Sequence, residues 1–595
     1  MKLANIKIRN FRGIRECDLN LPEQAVLVGD NNSGKSTILE AIELVLGPER
    51  LSRRPVIDEH DFYAGQYLDN EGNPIEITVE VVISELSPEQ RMIFAGNLLF
   101  WDKDRLALLE CPPPESTDSE TVVPALRVGF RGCYDADEDD FMGETTFLPI
   151  QTEEKPPVFR SKDKRICGFL YLRTLRTGSR ALSLERGSLL DIILKLKEVR
   201  PHMWEDVLSQ LRDVTIANDS SDPKQGLSEI LTSVQDEIRQ LVPAECADAP
   251  TIRVSQLTRE HLRQVLTAFL ATGADNYAAP FHHQGTGTVN ILVLALLSII
   301  AKMKQRVIFA MEEPEISVPP HTQKRVINSV LENSAQAIFT SHSPYVLEEF
   351  DPKRIVVISR RDGVLYGVPA ALPPAVKQKA YRDEVKRRFC EALLARRVLI
   401  VEGRTEYDAY PFVARKMQAI NPESYTSLEG LGVAVINAGT DTQIAPLGNY
   451  FRGLGKEVYA VFDKQDDAMS ATIRGAVDYP FESTEKGFED VILKETSEAA
   501  LRRYAAFLIE QGDWPRDVAV PSPETVDIKT LRENLRKVLR REKGDGAVID
   551  IMNLCEPKEI PQSILGTLRG IRCAIVDPVP APAAFDEVAA DNAGE

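Results

Sequence analysis

The chain has 595 residues, 43% of them hydrophobic and 27% charged, with 71 basic against 90 acidic residues and a net charge of −19. Its length predicts about three or four domains at roughly 100–200 residues each, and its composition excludes a globally disordered chain and a bulk-basic coat for nucleic acid. No apolar window is long enough to span a bilayer, and eight scattered cysteines without a CxxC pair, with seven histidines lacking HExxH spacing, speak against a disulfide scaffold and a zinc site. The opening MKLANIKIRNFRG has no apolar leader core. A reducing cytoplasm with buried thiols is therefore the expected setting.

In chain order, Leu3 to Ile8 alternates as a strand, Asn10 to Gly13 turns, and Gln24 to Val28 is a short apolar strand. Gly29-Asp-Asn-Asn32-Ser33-Gly34-Lys35-Ser36-Thr37 fits GxxxxGK[ST] between that strand and the helical run STILEAIELVL. In such a loop the backbone N–H groups cradle phosphates, Lys35 reaches the β/γ-phosphates and Ser36 ligates Mg²⁺. Gln66, in DFYAGQY, is a candidate for a glutamine that senses the nucleotide. Ile75 to Ile83 reads as a strand, and 102–160 as loop-rich, with CPPPESTDSE and DADEDD as surface excursions. From about 182 to 270 the pattern turns helical and suggests an insertion.

Gln284-Gly285-Thr-Gly287-Thr-Val-Asn290 then opens an apolar helix, and a Gly-rich helix start is an anion seat. Strand–helix alternation resumes at Arg306, giving α/β grammar with a parallel sheet. The strand RVIFAM ends in Glu312-Glu313-Pro-Glu315, where Glu312 can hold the water shell of Mg²⁺ and Glu313 can polarise a hydrolytic water. Phe339-Thr-Ser-His342-Ser-Pro follows another strand and offers His342 to a γ-phosphate.

A second α/β unit begins at Arg397. RVLIV ends in Glu402-Gly403 and a helix carrying Glu406; KEVYAVF ends in Asp463, followed by Gln465, Asp466 and Asp467; Ile436 to Thr440 ends a third strand. Phe488-Glu489-Asp490 opens a helix, and Lys543-Gly-Asp545 follows a basic one. Carboxylates grouped at the C-terminal edge of a parallel sheet suit oxygen-loving Mg²⁺. Two basic stretches offer phosphate contacts without reading sequence: 377–397, with eight basic and three acidic residues, and 529–543, with seven and two. In the second, Arg532, Arg536 and Arg540 recur at i+4 towards Lys543. Arg173, Arg176 and Arg180 form a third patch. The Pro/Ala-rich acidic end reads as a tail.

The P-loop, the Glu312-Glu313 strand end, His342 and the Gly285/Gly287 loop together resemble the SMC-like branch of ABC ATPases, as does IKIRNFRGI. The resemblance implies that Gly285 and Gly287 cap a nucleotide bound by a second head, hence at least a homodimer. The second half resembles a Toprim domain. The pairing resembles the OLD-family nucleases, and length and the Lys-Gly element resemble the class 2 branch, which is similar to the nuclease subunit of Gabija-type antiphage systems. That resemblance implies Glu402, Glu406, Asp463 and Glu489 as ligands of Mg²⁺ or Mn²⁺, two ions in the full site, with Glu402 catalytic and Lys543 neutralising charge in the transition state. It also implies a UvrD-type helicase as partner. Gln465 stands where the Toprim pattern wants an acid, with Asp466 or Asp467 as substitutes.

The expectation is an α/β chain: an ABC/SMC-like ATPase over 1–165 and 266–375, a helical, dimerising insertion over 166–265, a Toprim nuclease domain over 376–575 and a tail over 576–595. Its expected function is ATP-regulated, Mg²⁺-dependent DNA cleavage in antiphage defence or DNA processing, without a membrane. The rival expectation is an ATP-driven DNA clamp or sensor with a silent Toprim.

Overall fold

The computed structural model describes residues 1–48, 56–109, 121–149, 156–172, 307–316, 319–376, 386–516, 518, 522–541 and 546–576, with parts of 183–300. The first strands are β1 (Lys2–Phe11), β2 (Ile14–Asn20) and β3 (Gln24–Val28), followed by helix α1 (Lys35–Leu46). Next come β4 (Ile77–Ser84), α2 (Pro88–Ile93), β5 (Leu99–Asp102), β6 (Ala107–Leu108), β7 (Val122–Asp135), β8 (Asp140–Phe147), α3 (Ser161–Cys167) and β9 (Phe169–Leu172). Helices α4 (Leu189–Leu196) and α5 (Arg200–Asp213) and a small hairpin, β10 (Phe269–Ala271) with β11 (Ala278–Pro280), lie in the insertion region. Then follow β12 (Ile308–Glu312), α6 (Pro320–Asn333), β13 (Gln336–Thr340), α7 (Pro344–Leu347), β14 (Ile355–Arg361) and β15 (Val364–Pro369).

The large sheet runs β6-β5-β7-β4-β1-β2-β15-β14-β3-β13-β12-β9, with β8 paired to β7. Its β14-β3-β13-β12-β9 end is parallel throughout. These strands are short and almost continuously apolar because helices cover both faces. The other end is antiparallel and made of hairpins. Two sequence expectations change here. The described part of 102–160 is largely sheet, and β7 alone is 14 residues long. Pro124, Gly129 and Gly132 disguise it; a Cβ at the two glycines would come within 2.6 Å of Leu148 and 2.5 Å of Ile57. And β9, inside the stretch assigned to the helical insertion, is a strand of the large sheet, parallel to β12.

The second sheet is built from β16 (Arg397–Val401), β17 (Val433–Asn437), β18 (Glu457–Phe462) and β19 (Tyr479–Glu482) in the order β17-β16-β18-β19, all parallel. Helix α8 (Lys386–Leu394) leads into it; α9 (Arg404–Ile420), α10 (Ile444–Gly453) and α11 (Asp467–Ala476) connect its strands. Helices α12 (Phe488–Glu495), α13 (Glu498–Gln511), α14 (Ile528–Arg541), α15 (Ala547–Leu554) and α16 (Gln562–Val576) close the far face. In α14 the buried residues are Leu531, Leu535, Val538 and Leu539, one stripe of an otherwise charged helix.

The two sheets are not separately cored. One apolar cluster runs from Val26, Phe339 and Ile355 under the large sheet through Phe389 and Phe451 to Val398 and Val458 under the second. Tyr450 donates to the carbonyl of Ala370 at 2.9 Å across this junction. No helix among the described residues is long and apolar enough to cross a membrane.

Candidate functional site

Two polar centres sit at the C-terminal ends of the two parallel strand sets. At the first, Gly34 takes the left-handed conformation that starts α1 (φ 104°), and Gly29 packs so tightly that a Cβ would lie 2.3 Å from the carbonyl of Ile358. Lys35 is buried, its ammonium donating to the carbonyls of Gly29 (2.9 Å) and Asp30 (2.8 Å). Burial pulls its pKa down, opposed by the charges of Glu313, Asp30 and Glu315. His342 belongs to the same group: burial, then the Lys35 charge, lower its pKa and favour neutral imidazole, while Glu313 and Asp30 oppose them. Glu313 holds a positive φ of 43°, unusual for a glutamate, and its N–H donates to Thr340 O at 2.9 Å.

Glu312 is buried, with Tyr171 of β9 donating to its Oε1 at 2.6 Å. Glu315 accepts the N–H of His342 (2.6 Å) and the hydroxyl of Ser341 (3.0 Å), and burial raises its pKa. The hydroxyls of Ser33 and Thr340 are buried without a hydrogen-bond partner. Orphan donors beside a buried lysine fit a polyanionic ligand. Asn32 and Ser36 are exposed and Thr37 is half-buried. Gly285 is exposed, and Gly287 lies outside the described residues. Gln66 is exposed on a turn of the antiparallel end. The Glu312 strand lies between β13 and β9, and it is Tyr171 of β9, not Gln66, that reaches its carboxylate. A cavity of about 570 Å³ beside this turn is lined by Arg12, Gly13, Asp58, His60 and Asp61 among others. Sequence reasoning assigned no role to Tyr171 or Glu315. Glu315 stood in the quoted run, whereas Tyr171 carried no local signal.

At the second centre, Glu402 directly follows β16 and accepts the N–H of Asp463, which follows β18, at 3.1 Å. Glu489, in the first turn of α12, accepts from the Thr405 hydroxyl at 3.4 Å. Glu406 is buried between them. Burial raises its pKa to about 7, and the charges of Asp463, Glu489 and Glu402 add to the rise. Gly403 has an ordinary extended φ of −129°, so no sharp turn needs it. What it provides is room: a Cβ there would sit 2.7 Å from Oε2 of Glu406. Among the described residues no three His, Cys, Asp or Glu side chains converge closely enough to cage an ion as they stand.

Asp466 does not join these four. It caps α11, accepting from Met469 N at 2.8 Å, and Asp467 is exposed in the first turn of that helix. Gln465 turns its backbone N–H to Glu482. The basic stripe is half engaged: Arg536 bonds Asp490 at 2.7 Å and Arg532 reaches the carbonyl of Lys494, leaving Lys537 and Arg540 exposed. Arg397 is a strand residue paired with Glu457. Lys543, Asp545, Arg173, Arg176, Arg180 and residues 377–385 lie outside the described residues.

A family model described as AAA ATPase domain matches residues 1–166 and 181–347. A second, described as Overcoming lysogenization defect protein-like, TOPRIM domain, matches residues 393–464. Endonuclease GajA of Bacillus cereus (strain VD045) is 23% identical over 440 residues, which is 68% of this chain and 66% of that protein. OLD nuclease of Thermus scotoductus is 22% identical over 429 residues, 67% of this chain and 71% of that protein. The chain thus spans just under two thirds of the first relative's length. A solved SmcHead bound to the C-winged helix domain of ScpA matches at 14% identity over 62% of this chain and 98% of that one, with a TM-score of 0.33, too distant to bear on the fold.

Proposed function

The chain belongs to the AAA ATPase domain family, and on that premise we propose that it is an ATP-regulated, Mg²⁺-dependent DNA endonuclease, cutting at its TOPRIM domain. The observation that carries this reading is Glu406, buried among Glu402, Asp463 and Glu489 at the edge of an all-parallel sheet. A carboxyl whose pKa is raised to about 7 first by burial and then by three neighbouring carboxylates is a site short of a cation. The donor set is all oxygen, which suits Mg²⁺ or Mn²⁺. The two nuclease relatives support the same activity.

In this reading Glu402, Glu406, Asp463 and Glu489 are the residues that would hold the metal. Divalent ions there would supply charge neutralisation at the phosphodiester and activation of water. Glu402 would orient the attacking water, and Lys543 would offset charge on the scissile phosphate. Lys537 and Arg540 contact the DNA backbone. At the first centre Ser33, Gly34 and Lys35 hold the nucleotide phosphates, with Ser36, Thr37 and Glu312 toward Mg²⁺. Glu313 polarises water, and neutral His342 donates toward the γ-phosphate. Dimerisation through the Gly285/Gly287 loop, a cytoplasmic setting, an antiphage role and a helicase partner are parts of the proposal that rest on family resemblance.

The rival, a DNA clamp with a silent TOPRIM domain, draws on Asp466 being spent on a helix cap and on Gln465. Supercoiled-plasmid cleavage with Mg²⁺ or Mn²⁺, with and without ATP, separates the two. Wild type is expected to cleave, Glu402→Ala to fall to background, and Lys35→Ala to cleave without responding to ATP. Intact ATP hydrolysis with no cleavage under any condition would favour the clamp.

A further inference from the structure

Helix α8 joins the ATPase half to the TOPRIM half, and two consecutive arginines on it face opposite ways. Arg387 donates through Nε to Oε1 of Glu348 at 3.0 Å and lies over the ring of Tyr345, 4.6 Å from its centroid. Both partners belong to the ATPase half. Tyr345 sits in α7, a single turn that begins two residues after His342, and Glu348 is the C-cap of that turn. Glu348 is buried and is held from a second side by Lys324 of α6 at 2.5 Å. Arg388 lies over the ring of Tyr407 at 4.1 Å, in the first turns of α9 and next to Glu406. Phe389 and Cys390, which follow, are fully packed in the core common to both sheets, so α8 moves as a body rather than one side chain at a time.

We propose that Arg387 and Arg388 are positioning residues that pass the state of the His342 loop to the Glu402–Glu406 segment. A guanidinium that is both hydrogen-bonded and stacked fixes direction as well as distance, which a lysine ammonium does not. A nucleotide that draws His342 towards its terminal phosphate shifts α7, because four residues cannot absorb the displacement. Glu348 and Tyr345 then carry Arg387, and Arg388 on the same turn of α8 re-aims Tyr407 and with it the Glu406 carboxylate. The inference rests on reading the two centres as nucleotide and nuclease sites, and it supplies the physical route for ATP control.

The test is hydrogen–deuterium exchange on the full chain with Mg²⁺ and a non-hydrolysable ATP analogue, alongside plasmid cleavage with the same proteins. In wild type the nucleotide is expected to change exchange in residues 397–420 several-fold. In Arg387→Ala, which leaves Lys324 on Glu348, the analogue binds within about two-fold of wild type, yet that change disappears. Glu348→Gln reproduces the loss, and the double variant loses no more than either single one, as expected when two residues act through one contact. Arg387→Lys restores at most part of the response. An unchanged response in Arg387→Ala, a collapse of its nucleotide affinity, or no response in wild type overturns the proposal. Absence of plasmid cleavage by wild type would instead strike the nuclease reading, because the exchange response does not require cleavage.

Discussion

Tyr171 shows how much a single hydroxyl can decide at a strand edge. It stands opposite Ala310 in the pairing of β9 with β12, one pair before the last, and reaches across to Glu312, the carboxylate assigned to the ATPase metal. A hydrogen bond to a charged group is worth about 1.5–3 kcal/mol, so Tyr171→Phe is expected to slow ATP hydrolysis roughly ten-fold or more. Nucleotide affinity stays near wild type, because Lys35 and the loop amides are untouched. Steady-state phosphate release against ATP concentration checks this, and an unchanged kcat would show that Tyr171 merely fills space. Glu313 makes the complementary point. Its positive φ is a strained conformation for a non-glycine residue, kept where the chain leaves β12 towards Glu315 and the His342 loop.

At the scale of elements, β18 connects the two centres. Lys456, just before it, is buried and donates to the carbonyls of Leu393 (2.7 Å) and Ala395 (2.6 Å) at the end of α8, while Asp463 follows its far end. Burial lowers the Lys456 pKa to about 8, opposed by the Asp30 charge of the P-loop. The unfolded chain keeps this proton up to about pH 10.4. Between about pH 8 and 10 the unfolded state therefore binds more protons, and stability rises with pH as the cost of a buried charge is removed. The contribution is on the order of 1–3 kcal/mol, and buried Lys164, also near 8, adds in the same direction. The buried thiols Cys17, Cys167 and Cys555, whose pKa values burial raises, act in the opposite direction over the same range, so the lysine is read as a difference: from pH 7.5 to 9.5 the change in stability to urea is expected to be more favourable in wild type than in Lys456→Met. Equal slopes in the two proteins would remove Lys456 from the account.

At the scale of the whole molecule, the common core under both sheets makes ATPase and TOPRIM halves one cooperative unit. Phe389 packs 5.7 Å from Tyr450 and 5.5 Å from Phe451, ring centre to ring centre, with Val398 and Val458 in the same cluster. Removing such a ring costs about 3–5 kcal/mol. Calorimetry of Phe389→Ala is expected to show a single transition, moved down as a whole and still moved up by nucleotide. Two resolved transitions with only one displaced would mean that the halves unfold independently.

The local chemistry of this protein was legible in its sequence because it is written in contiguous runs. Gly29 to Thr37 between a strand and a helix, AMEEPE at a strand end, and RVLIVEG each carry their own backbone context. Hence the ATPase and TOPRIM assignments could be expected from these runs, while the grouping of Glu402, Glu406, Asp463 and Glu489 was an expectation that came with the family resemblance. What only the tertiary structure decided is whatever depends on contacts between distant segments. The strand β9 hides in a stretch read as helical because four residues hold too little period to announce a strand. Tyr171 meets Glu312 across 141 positions, and Arg387 meets Glu348 across 39. Asp466 looked free to replace an acid at Gln465 until the backbone of α11 claimed its carboxylate as a cap. Motifs encode what a few neighbouring residues do to a ligand; partnership, burial and the coupling of two sites belong to the fold, because they are set by which surfaces the packed chain brings together.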